Sequence, residues 1–267
     1  LTDKDVCLTK SARDVLLTAD PVEKAAAARA LHTEWRAGAL AVIGIDDMPD
    51  RPARPARPQL LPPREMPRRR KTSGTANRVA LLHAIAHIEL NAIDLSIDIA
   101  GRFGPSYGAT FVSDWLSVAD DEARHFLMLQ GRLFALDAGY GDLPAHDGLW
   151  EAAQATSGDI CARLAVAHTV LEARGLDVTP AMIERLTRFG DTESAAVLTT
   201  ILSEEIRHVR LGVEWFGRIA RQRGMDEEPY WQELVRTYFR GSLKRPFNTS
   251  ARRMAGLLPT YYEPLAD

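Results

Sequence analysis

Apolar residues recur every three or four positions through long stretches of this chain, and glycine- or proline-bearing punctuation separates those stretches at helix-sized intervals. Leu82, Ile85, Ile88, Ala92 and Ile93 mark one such stretch, with the period of an amphipathic helix. Gly101, Gly104 and Pro105 predict a turn after it, so the chain should run out from 89 to about 102 and back from about 106 to 122. The return arm should continue to about Asp137, where Gly139, Gly141 and Pro144 stop it. Val166, Val170 and Leu171 mark a second pair of arms. Its outward arm is expected to break at residues 175–180, resume over 181–189 and turn at Gly190 and Asp191. Between the two pairs, residues 139–158 can supply a crossover with a short helix over 149–156 and a bend at Gly158. A single helix over 148–173 fits the same residues.

The flanks carry their own signals. Asp20, Pro21 and Glu23 have the form of an N-cap, a proline at the first helical position and an acid at the third, predicting a helix over 21–37. A shorter helix over 11–17 precedes it. Residues 51–71 hold Pro52, Pro55, Pro58, Pro62, Pro63 and Pro67, which forbid a helix and predict an extended strap. A last helix should run from 225 to about 239, followed by an irregular tail with room for one helical turn. The class is all-α: an N-terminal helical appendage and Pro/Arg-rich strap (1–72), a four-helix core (73–224) and an extra C-terminal helix with its tail (225–267).

Two copies of one ligand pattern sit on this frame. Glu122 and His125, and again Glu205 and His208, form Glu-x-x-His, which on a helix aims a carboxylate and an imidazole the same way. Each of the other two predicted helices carries one glutamate among apolar neighbours, Glu89 and Glu172. Four-helix dimetal carboxylate sites are built from that set. The stride is the same in both halves, 122 − 89 = 33 and 205 − 172 = 33. A buried carboxylate without a partner is costly, which argues for a cation. Four carboxylates and two imidazoles suit two iron ions, with manganese as the alternative, rather than tetrahedral zinc. Asp121 and Glu204 precede the ligand glutamates and are placed to accept an imidazole N–H from a facing helix. Arg124 and Arg207 are placed to pair with those acids. His168 lies one turn before Glu172 as a supporting or extra ligand, whereas His87, two residues before Glu89, should face away.

This constellation resembles the ferritin-like superfamily of dimetal carboxylate proteins. More closely, the chain is similar to an uncharacterised bacterial branch, through Pro62-Pro63-Arg64-Glu65-Met66-Pro67-Arg68-Arg69, His83-Ala84-Ile85-Ala86-His87-Ile88-Glu89, the phenylalanine-bearing stretch after His125, and Val170-Leu171-Glu172-Ala173-Arg174-Gly175-Leu176-Asp177. The resemblance spans about residues 12–250. It implies a ferritin-like four-helix bundle holding two irons and, in many superfamily members, dioxygen chemistry. The branch itself implies no substrate. Radical-generating members carry a tyrosine about four residues after the first histidine, where this chain has Leu129, and the peroxidase members add a cysteine-rich module that Cys7 and Cys161 cannot form. What remains is an oxidase or oxygenase using dioxygen on a small organic molecule, with an unidentified electron donor; the alternative is a metal-binding or iron-handling protein with ferroxidase-like activity. A homodimer is left open.

Composition narrows the setting. With 267 residues, 46% of them hydrophobic, the chain can bury a large core. Its two isolated cysteines argue against a disulfide framework and for a cytoplasmic protein. No run of about 18 apolar residues marks a membrane span. The net charge of −3 hides an asymmetry, because residues 51–71 carry eight basic groups against Glu65, a balance of +7 that leaves −10 elsewhere. Such a strap can hold nucleic acid or an anionic substrate. Lacking interleaved aromatics, it is expected instead to pair its arginines with acidic faces of the bundle.

Overall fold

The computed structural model describes residues 7–40, 42–67 and 74–267, and these are helical, with no named strand among them. They divide into two compact units at the Trp150–Glu151 bond.

In the first unit, α1 (Leu8–Leu16) and α2 (Pro21–Arg36) pack against α3 (Thr75–Phe134). The cap of α2 forms as expected: the Asp20 carboxylate accepts hydrogen bonds from the backbone N–H of Val22 and Glu23, both at 2.9 Å. Helix α3 is two arms joined at Gly108, where φ is 80° and ψ −172°. The predicted turn at Gly101–Pro105 is therefore corrected to a later residue. Gly101 and Gly104 are small for packing instead. A Cβ on Gly101 would meet Met48 Sδ at 2.5 Å, and one on Gly104 would meet Val112 of the return arm at 2.7 Å. Only Gly108 takes a backbone conformation that L side chains rarely adopt.

The strap is bound to this hairpin by its arginines. Arg54 pairs with Asp94 and donates to Asn91 Oδ1 at 2.7 Å, and Arg51 pairs with Asp147. Lys24 of α2 comes to the same Asp94 at 2.7 Å while only 1% of its side chain is exposed. Burial lowers the Lys24 pKa, opposed by the Asp94 charge. Arg68, Arg69, Arg70 and Lys71 lie outside the described residues. Helix α3 has the length and composition of a membrane span, yet 78% of its most apolar window is buried inside the protein.

The second unit is built on a rod: α5 (Ile160–Arg163), a π-turn segment (Leu164–Leu171) and α6 (Glu172–Arg188) run on without a break in helical backbone. Before it, α4 (Gly148–Ala155) is a separate short helix, and Asp159 caps the rod through hydrogen bonds from the Cys161 and Ala162 N–H at 2.7 and 3.1 Å. The expected short helix forms with a break before the rod, and the unbroken 148–173 helix does not. The rod reverses at Gly190 (φ 78°) into α7 (Thr192–Gln222). Helix α8 (Glu227–Tyr238) and the short α9 (Thr249–Met254) and α10 (Pro259–Tyr262) follow, so the tail is more ordered than expected.

The expected break at residues 175–180 is absent, and the reason is local. Pro180 has no N–H for the carbonyl of Leu176 four residues earlier. Asn248 Nδ2 donates to that carbonyl at 3.1 Å, and Arg252 grips the neighbouring Asp177 with two bonds of 2.8 and 2.7 Å. The tail thus supplies what the proline removes.

Removing Asp94 strands the buried Lys24 ammonium and the half-buried Arg54 guanidinium. Asp94→Ala is expected to cost about 3–5 kcal/mol in unfolding free energy, measured by urea titration at pH 7. A loss below about 1 kcal/mol would show that the triad contributes nothing beyond packing.

Candidate metal centre

The two arms of α3 bring three predicted ligands together. Glu89 lies 108 − 89 = 19 residues before the reversal and His125 lies 125 − 108 = 17 after it. At about 1.5 Å per residue the two arms return to nearly the same height. His125 Nδ1 stands 3.1 Å from Glu89 Oε2 and 3.4 Å from Glu122 Oε2. All three side chains are buried, and each offers a ligand atom within 4.8 Å of the others', a Glu/His group able to hold a metal ion.

Electrostatics couple these three side chains. Burial works to lower the His125 pKa, but hydrogen bonds to Glu122 and Glu89, and their charges, push it up to about 11. The imidazolium stands where a cation is wanted, shared between two carboxylates.

Around this trio, Asp121 accepts a hydrogen bond from Arg124 Nη2 at 2.7 Å, one turn along the same arm. His87 is buried, not turned to solvent. Its Nδ1 lies 2.8 Å from the Tyr140 hydroxyl and its Nε2 3.1 Å from the His146 carbonyl. Burial first, then the Arg54 charge, lower its pKa to about 4, so the ring is neutral. His83 accepts the Gly141 N–H at 2.9 Å and stacks on Tyr140. These two histidines fasten residues 139–146 to the outward arm. Sequence reasoning missed the role; the repeated His at 83 and 87, one helical turn apart, was the available signal.

In the second unit, Glu172 opens α6 immediately after the π-turn, and Glu205 and His208 lie on α7 with 3.6 Å between Glu205 Oε1 and His208 Nδ1. Glu204 and Arg207 are half-buried beside them. Arm lengths match again, 190 − 172 = 18 and 208 − 190 = 18 about Gly190. His168 is fully buried and its Nδ1 lies 2.7 Å from Glu172 Oε1. The first unit has no counterpart, since the residue four before Glu89 is Ile85. The π-turn that carries His168 is fixed on two sides. Trp231 of α8 donates to Thr169 Oγ1 at 2.7 Å, and Gly212 of α7 comes so close that a Cβ there would sit 3.0 Å from the His168 carbonyl. Single π-turns inside α-helices recur at functional sites.

The model of the family described as "Protein of unknown function (DUF455)" matches residues 17–263. The chain belongs to that family. It is 42% identical over 203 residues to an uncharacterized protein of Haemophilus influenzae, covering 74% of this chain and 70% of the relative. No solved structure matches it.

A metal ion held by Glu89, Glu122 and His125 must displace the His125 proton. With a metal-free pKa of about 11 against 6.5 unfolded, His125 is protonated at neutral pH, and the stability this adds to the metal-free fold is full below about 6.5 and lost as pH rises through 11. Metal uptake at pH 7–8 should release a proton from this residue, and apparent affinity should weaken about tenfold for each unit the pH is lowered within that window. Titration calorimetry in buffers of different ionisation enthalpy measures the release; pH-independent affinity would contradict it.

Proposed function

We propose that this chain is a dimetal carboxylate protein with a ferritin-like four-helix core over residues 73–224, in which Glu89, Glu122, His125, Glu172, Glu205 and His208 hold two iron ions, or manganese in their place. The observation that carries this reading is the buried Glu89–Glu122–His125 trio, repeated in residue type, order and 33-residue stride by Glu172, Glu205 and His208. Hard carboxylate oxygens mixed with imidazole fit such ions better than a thiolate-preferring metal.

Bound there, a pair of iron(II) ions would supply two electrons to dioxygen, and the reading follows that the protein is an oxidase or oxygenase acting on a small organic substrate, with an external electron donor. The chain's own residues do the rest. Glu89 and Glu122 supply negative charge in an apolar wall, Asp121 holds Arg124 at the rim, and His168 steadies the Glu172 carboxylate through its 2.7 Å contact. Glu204 and Arg207 serve the same supporting role on α7. Both cysteines are free thiols, which supports a reducing, cytoplasmic setting.

Metal analysis of chain purified from iron-supplemented cells should find two ions per chain. Glu122→Ala and Glu205→Ala should each bring this to one or none while the circular dichroism of the helices stays near wild type, because apolar burial dominates the stability of so large a core. Full occupancy in both variants would refute the ligand assignment. Oxygen consumption that stops after a stoichiometric amount, whatever organic compound is added, would turn the reading from oxygenase to iron handling.

A further inference from the structure

A cavity of about 270 Å³ lies in the second unit, where the chain after α8 crosses the rod. Val170 and Leu171, the two residues before Glu172, line it together with Arg174 and Asp177; the crossing segment adds Phe239, Ser242 and Lys244. Its volume falls just below the roughly 300–1,000 Å³ of ordinary small-molecule pockets, so its occupant is compact.

The charges around it do not balance. Asp177 is fully engaged: it accepts two bonds from Arg252 and the Asn248 N–H at 2.9 Å. Arg252 in turn stacks over Phe247 and Tyr262, 4.7 and 4.5 Å from their ring centres. That pair is self-contained. Arg174 is left with the Lys244 carbonyl at 2.9 Å and a looser 3.6 Å approach to Asp177, its side chain 41% exposed. The Lys244 ammonium makes no ion pair among the described residues. Three cations of the lining, Arg174, Arg252 and Lys244, therefore share the single carboxylate of Asp177 beside an apolar wall.

We propose that this cavity binds a small amphipathic carboxylate, its charged end between Arg174 and Lys244 and its apolar body on Val170, Leu171 and Phe239. Arg174 and Lys244 are positioned to accept the carboxylate through charge-assisted hydrogen bonds.

Calorimetric titration of the chelator-treated full chain with hexanoate and benzoate tests the binding, with 1-hexanol and hexylamine as controls. Both acids should bind, and the alcohol and amine at least about tenfold more weakly. Arg174→Gln and Lys244→Gln should each weaken the acids about tenfold. Ser242→Phe, which fills the cavity without removing a cation, should abolish binding while the melting temperature holds. Equal binding of 1-hexanol, or acid binding unchanged in Ser242→Phe, overturns the site.

Discussion

Two carboxylates buried against one another in an apolar hairpin set the terms for the rest of this molecule. His125 Nδ1 lies 3.1 Å from Glu89 and 3.4 Å from Glu122, and their hydrogen bonds and charges raise its pKa to about 11 against the opposing effect of burial. Several features fix the hairpin that makes that contact: the reversal at Gly108, Met48 lying against Gly101, and the pairing of Lys24 and Arg54 with Asp94 of the outward arm. A second polar cluster in the same apolar arm would ordinarily be a liability. Here each of its charges has a partner, so it acts as a clamp on α2 and the strap.

The meeting of Glu89, Glu122 and His125 was legible because helical periodicity is local. Glu-x-x-His places two donors on one face whatever the surroundings, and equal strides announce paired hairpins before any contact is known. The α2 cap was legible for the same reason, since Asp20 bonds residues two and three positions away.

What the sequence concealed is nonlocal. Three glycines and a proline between 101 and 108 all punctuate a helix, and choosing Gly108 requires knowing that Met48 and Val112 press on the other two glycines. Pro180 signals a break unless Asn248 is known to reach the carbonyl it leaves behind. The π-turn has no composition cue, yet it distinguishes the two halves: it carries His168 to Glu172, where the first half has only Ile85. A repeat that looks symmetric in spacing is chemically lopsided.

The bond from Asn248 to the Leu176 carbonyl spans 72 residues of chain and exists to repair a defect created by one proline. The two positions are therefore answerable to each other. An alanine at 180 would restore the helix's own donor and make the Asn248 amide redundant, whereas losing the asparagine first leaves a helix with a missing rung just beyond Glu172. Substitutions at the two sites should be tolerated in one order and penalised in the other, so divergence within the family has a preferred sequence of events at this pair.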